Sequence, residues 1–206
     1  MTSMAKRSAT DDELLNPENS VFALIDFQPT QINSVNSMAR AQLIRNIVAT
    51  QSLINAFKIP TILSTVNVKT GRNQDTIPQL KALLSNVPSY DRTSINAWED
   101  VDFNRAIKAT GKHQIIIAAL WTEACLTFPV LDALKEGYDV FPVVDAVGGT
   151  STVAHETAIA RMTAKGAQPV TIAQLACELQ RDWNRPDTVP GFTQSLVDIG
   201  AFLKLS

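Results

Sequence analysis

The chain has 206 residues, 18 Lys and Arg against 20 Asp and Glu, a formal net charge of −2 and 45% hydrophobic residues. That balance excludes the basic face a nucleic-acid binder needs, and a chain of this length can bury a full core without disulfides or a structural metal. Charged residues at 18% exclude a disordered or coiled-coil chain, and no apolar run approaches the length of a bilayer span.

The opening stretch, MTSMAKRSATDDELLNPENS, has no apolar core and does not read as a secretory leader. Residues 1–18 are expected to form a polar arm, mobile unless a neighbouring subunit holds it, and 19–206 a single domain. Five short apolar runs follow: Val21 to Ile25, Pro60 to Thr65, Gln114 to Leu120, Asp139 to Val144 and Gln168 to Ile172, with a weaker sixth at Pro88 to Arg92. Runs that are apolar at nearly every position suit strands covered on both faces. Helical patterns separate them. Met38 to Phe57 ends at Ile59-Pro60, Asp102 to Thr110 at Gly111, Glu123 to Glu136 at Gly137 and Thr152 to Lys165 at Gly166. Gln174 to Trp183 and a segment after Pro190 complete the set. This alternation predicts an α/β fold with a six-stranded, mainly parallel sheet.

Ligands of such sheets sit beyond the carboxyl ends of the strands, where the strand order reverses. Two residues just past apolar runs carry usable chemistry. Asp26 ends the first run, in LIDFQP, and Cys125 follows the third, in AALWTEACLTFP. If a helix begins near Thr122 or Glu123, the thiol lies in its first turn, where the macrodipole favours the thiolate and lowers its pKa below the ordinary value of about 8.5. The alternative is a packed, inert cysteine. Asp26 either caps a helix or takes the thiol proton and returns it to a leaving group. Arg92, after the weak sixth run, is either a solvated surface group or the cation that balances both.

Asp26, Arg92 and the segment Thr122-Glu123-Ala124-Cys125 together resemble the isochorismatase-like (cysteine hydrolase) superfamily. INAWED (Ile95 to Asp100), IKATGKHQIIIAAL (Ile107 to Leu120) and ACELQRDW (Ala176 to Trp183) are similar to its YcaC-like branch. The likeness covers roughly Val21 to Trp183. It implies a three-layer α/β/α sandwich and a metal-independent enzyme that hydrolyses a C–N bond of a small amide. In that scheme Cys125 attacks the carbonyl and forms a thioester, Asp26 moves the proton, and Arg92 stands where most amidases of the superfamily have Lys. Guanidinium keeps its charge at any relevant pH and supplies electrostatics but no proton. The resemblance further implies a cis peptide joining Leu120 to Trp121 and an oxyanion hole made by the N–H groups of Trp121 and Cys125.

Phe27, Gln28, Trp98 and Trp121 are candidates to line the substrate pocket, Trp98 or Trp121 alternatively a subunit contact. The stretch Asn67 to Asp75 has no histidine, so the metal-ligand set of a nicotinamidase is missing, and a vinyl-ether-cleaving isochorismatase needs no nucleophilic cysteine. His113, read as lying just before a strand, and His155, read as a helix-surface residue, have no metal-ligand spacing. No metal or cofactor is expected. Cys177, beside Leu175 and Leu179, reads as core, and Gly148-Gly149 as a loop without the spacing of a phosphate cradle. Two cysteines 52 residues apart suit a reducing, cytoplasmic compartment. The resemblance implies a homo-oligomer. The readings that compete with hydrolysis are a catalytically weak oligomeric binding or scaffold protein and a redox-sensing thiol protein.

Overall fold

A computed structural model of the chain describes residues 13–201. Five strands form one parallel sheet: β1 (Ser20–Ile25), β2 (Thr61–Val66), β3 (Ser89–Arg92), β4 (Gln114–Ala119) and β5 (Asp139–Pro142). Their order is β3-β2-β1-β4-β5. Every residue of β1 and of β4 is buried, which explains why the two central strands carry no polar alternation. The register runs from Ser20 beside Gln114 to Ile25 beside Ala119, so both strands end at one level.

Among the described residues, eight α-helices connect and cover the strands: α1 (Pro29–Asn33), α2 (Arg40–Ala56), α3 (Pro78–Lys81), α4 (Val101–Ala109), α5 (Thr127–Lys135), α6 (Thr152–Thr163), α7 (Ile172–Gln180) and α8 (Val189–Asp198). They contact one another in two sets, α2 with α3, α7 and α8, and α5 with α6, which gives the layers on either side of the sheet. Gly111, Gly137 and Gly166, the expected stops, all have positive φ. The short α1 and α3 were not legible in the sequence. Each opens with proline and lasts about one turn, too short for a periodicity to show.

The sheet has five strands where six were expected. The run Gln168 to Ile172 does lie along β5: the Gln168 N–H donates to Val140 O at 2.9 Å, Val170 N–H to Pro142 O at 2.9 Å and Val144 N–H to Val170 O at 2.9 Å. Only one bridge, Val143 to Val170, is formed, because Pro142 faces this edge without an N–H to give to Gln168 O. The described end of the arm is tied down within the subunit. Leu15 is fully buried, its N–H donates to Glu178 Oε2 at 3.0 Å and its carbonyl accepts from Arg181 at 3.0 Å. The rest of the arm lies outside the described residues. Among the described residues, no helix is long and apolar enough to cross a membrane.

Candidate active site

The chain runs outward from β1 through β2 to β3, then returns to lay β4 on the other side of β1. The crevice beyond the carboxyl ends of β1 and β4 is therefore the switch point of the sheet. Asp26 follows β1 directly and has φ 62, a left-handed conformation that costs a non-glycine residue about 1 kcal/mol. Its N–H donates to Ser64 O at 3.0 Å, which fixes the turn against β2.

Arg92 closes the edge strand β3 and reaches across the end of β2 to Asp26. Nη1 donates to Oδ1 at 2.8 Å and Nη2 to Oδ2 at 2.7 Å, a two-donor pair with side chains 1% and 0% exposed. Three more acceptors hold the guanidinium: Ser64 Oγ at 2.9 Å, Thr65 O at 3.1 Å and Ile95 O at 3.0 Å. Ser64 Oγ can accept because its own hydrogen goes to Tyr90 O at 2.8 Å. A buried pair of this kind keeps its charges only when the other donors are also satisfied. Here Nε alone is buried without a partner.

Cys125 approaches the same carboxylate from β4. The segment Thr122–Leu126 is a single wide π turn ahead of α5, in which Leu126 N–H reaches back to Trp121 O at 3.2 Å. Leu120 and Trp121 are joined by a cis peptide. The Trp121 N–H is directed at the Cys125 sulfur, and its indole is pinned by a hydrogen bond from Nε1 to Gln31 O at 3.1 Å. The thiol itself bonds Asp26, and Cys125 is 8% exposed.

The electrostatics correct the expectation of a resting thiolate. Burial first, then the charge of Asp26 and its hydrogen bond, push the Cys125 thiol up to about 12, against the smaller pulls of Arg92 and the Trp121 N–H. Burial likewise raises Asp26 above its ordinary value although Arg92 pulls it down, and Asp26 in turn raises Arg92. One positive guanidinium therefore balances one negative charge. The charge-balanced cluster holds a single proton between the Asp26 oxygens and the Cys125 sulfur. Removing that proton as well leaves an uncompensated anion in a dry site, which is why it departs only near pH 12.

Behind the Thr122–Leu126 turn lies a contact that sequence reasoning missed. His155, expected on the surface of a helix, is half-buried, and its Nδ1 lies 2.9 Å from the Oγ1 of fully buried Thr122. Burial lowers its pKa below the ordinary imidazole value, against upward pulls from Glu123 and Glu156. Glu123 Oε1 accepts both the N–H and the hydroxyl of Thr150, at 3.0 and 2.6 Å. Gly148 and Gly149 form a close-packed loop: Thr122 N–H donates to Gly148 O at 3.0 Å, and a Cβ on Gly149 would stand 2.6 Å from Glu123 Oε2. No spacing signal marks His155, since thirty residues separate it from the motif it touches.

The candidate pocket residues divide. Trp121 borders the sulfur. Phe27 is fully buried, and buried Gln28 spends its amide on structure, donating to Val66 O and Gln74 O and accepting from Val66 N–H. Trp98 is turned along α5, bonding Glu136 at 2.8 Å and meeting Tyr138 edge-on, so it holds a helix rather than a ligand. Cys177 is exposed on α7, not core, because it falls on the outer face between Ala176 and Glu178. His113 directly precedes β4 and stacks on Tyr138. Among the described residues, no three His, Cys, Asp or Glu side chains gather as metal ligands.

Comparison with known proteins gives this geometry relatives. The Isochorismatase domain model matches residues 20–174. A curated Escherichia coli (strain K12) protein described as "Probable hydrolase YcaC" is 40% identical over 170 residues, 82% of this chain and 81% of that protein. YcaC from Pseudomonas aeruginosa, solved with hexane-2,5-diol and covalent acrylamide, superposes with a TM-score of 0.85 at 37% identity over 90% of this chain and 91% of its own. Escherichia coli YcaC, described from its crystal structure as an octameric hydrolase of unknown specificity, gives a TM-score of 0.85 and 37% identity over 91% of both chains. A match spanning most of the described residues, together with relatives this similar, means that the chain belongs to the isochorismatase family, as a hydrolase of its YcaC branch.

Proposed function

We propose that the chain hydrolyses a C–N bond of a small amide, without a metal, through a thioester on Cys125. The observation that carries this reading is the buried two-donor pair of Arg92 and Asp26 bonded to the Cys125 thiol. Because the resting sulfur is neutral, attack and proton transfer are coupled: as Sγ adds to the carbonyl carbon, its proton passes to Asp26. Arg92 keeps the total charge of the cluster constant throughout that transfer, so no buried charge is created before the substrate oxygen becomes negative. The N–H groups of Trp121 and Cys125 receive that oxyanion, donors of a kind worth about 3 kcal/mol each in the barrier. Protonated Asp26 then gives its proton to the departing amine, which breaks the C–N bond and leaves the thioester. Asp26, ionised again, takes a proton from water as the hydroxyl attacks, and the thiol recovers its proton when the acid leaves.

The covalent acrylamide on the Pseudomonas aeruginosa relative supports a reactive nucleophile in this branch, since acrylamide alkylates nucleophiles through its double bond and keeps its amide intact. We extend the octameric state of the Escherichia coli relative to this chain as a homo-oligomer, with Ile95, Val101 and Val153 as apolar side chains left 61%, 66% and 72% exposed. Unpaired cysteines suit a cytoplasmic setting.

The test is mass-spectrometric trapping of an acyl adduct from a mixed library of small amides. The expected adduct maps to Cys125, with turnover lost by at least about a thousandfold in Cys125→Ser and retained in Cys177→Ser. Adducts absent from Cys125 throughout the library, with the oligomer intact, would favour a binding or scaffold protein instead.

A further inference from the structure

Thr122 stands between the peptide that presents the Trp121 N–H and the turn that presents Cys125, and three bonds fix it. Its N–H donates to Gly148 O at 3.0 Å, its carbonyl accepts from Thr127 Oγ1, and its hydroxyl meets His155 Nδ1 at 2.9 Å. The first two are permanent. The third depends on an imidazole, a side chain that can take up a second proton.

We propose that neutral His155 is a positioning residue, whose bond to Thr122 holds the Trp121–Cys125 turn in its reactive geometry and whose protonation releases it. The inference rests on the cysteine-hydrolase reading above and adds a pH dependence to it. With the imidazole neutral and its hydrogen on Nε2, Nδ1 accepts the hydroxyl hydrogen of Thr122. An imidazolium must donate from both nitrogens. The Thr122 hydrogen then loses its acceptor in a fully buried place, a loss that typically costs more than the bond is worth.

The surroundings also disfavour the cation. His155 lies in the first turn of α6, where the macrodipole opposes positive charge, and it is half-buried. Two carboxylates pull the other way, Glu123 from the Thr122–Leu126 turn and Glu156 from its own helix. Glu123 is already committed to Thr150 through Oε1, and its Oε2 is buried without a partner. The loop ahead of α6 is closely packed against this turn. Gly149 packs so closely that any side chain there would stand 3.1 Å from the His155 N–H nitrogen.

The experiment follows alkylation of Cys125 by iodoacetamide in a Cys177→Ser background, comparing His155 with His155→Asn. Asparagine places a neutral, non-titrating acceptor near the position of Nδ1. The ratio of the two rates cancels the contributions of Asp26 and of the thiol itself. We expect a ratio near one at about pH 8, falling by roughly three- to tenfold by about pH 5 as the imidazole titrates. Thr122→Val should remove that pH dependence, and Thr122→Ser should keep it. Circular dichroism confirms that each variant is folded. A ratio that stays flat from about pH 8 to about pH 5 overturns the role of His155 alone. Failure of Cys125 to alkylate in any variant at any pH overturns the nucleophile reading instead.

Discussion

The two cysteines make the most instructive comparison in the molecule. Cys177 is exposed on α7, whereas Cys125 is 8% exposed and pushed up to about 12. Exposure, an ordinary index of thiol reactivity, would rank Cys177 first. Cys125 nevertheless has what Cys177 lacks among the described residues: a carboxylate bonded to its hydrogen, a guanidinium that balances that carboxylate, and a backbone N–H directed at its sulfur. A nucleophile activated by proton transfer needs no resting anion. It needs a base whose charge is already compensated.

The largest effect expected from breaking this arrangement comes from Arg92→Met. It leaves Asp26 in a fully buried place without its counter-charge, and removing one partner of a buried pair typically costs about 3–5 kcal/mol. Denaturant unfolding should show that loss near neutral pH and a smaller one in acid, where Asp26 is protonated and needs no partner. Equal losses at both pH values would mean that the guanidinium acts mainly through packing and its bonds to Ser64, Thr65 and Ile95. The double substitution Asp26→Asn with Arg92→Met should recover part of the stability while leaving Cys125 without its base.

How much of this was legible in the sequence depends on distance along the chain. The strands were, because residues buried on both faces leave an uninterrupted apolar run. Asp26, Arg92 and Cys125 were visible as residues placed just past strands, and the sheet brings the first two together across 66 positions. The ionisation of Cys125 was not. A first-turn position suggests a stabilised anion, and only the fold reveals that the nearest charge is negative and that the turn is a π turn. The core reading of Cys177 failed, and the partners of Trp98 and Gln28 stayed hidden, for a related reason. The Glu136 carboxylate, the Val66 and Gln74 backbone groups, or an outward helix face decide their orientation, and none of these partners is adjacent in sequence. Pro142 reduced the run Gln168 to Ile172 to a single bridge although its apolar pattern is sound.

Reagent size should separate the two thiols next. A bulky aromatic disulfide reagent should modify exposed Cys177 at least about tenfold faster than Cys125, since exposure controls its access. A small amide electrophile such as iodoacetamide should narrow or reverse that preference, because it fits the crevice and can use Asp26 as a base. Peptide mapping of doubly exposed samples reads both sites at once. The same preference with both reagents would remove the distinction between an accessible thiol and an activated one.

The last effect is on stability in alkali, where Cys125 should register. Its pKa is raised in the fold from the ordinary 9.0 to about 12, so the folded state holds a proton that the unfolded chain releases first. The resulting stabilisation is fully present below pH 9 and is lost as the pH rises toward about 12. The slope cannot exceed about 1.4 kcal/mol per pH unit for one proton. Measured under reducing conditions, the stability of the unaltered chain minus that of Cys125→Ser should therefore decline across this range. A level difference would place the proton loss of Cys125 at the same pH in folded and unfolded chains. The carboxylate would then exert no hold on the thiol, and the coupled transfer from Cys125 to Asp26 would lose its physical basis.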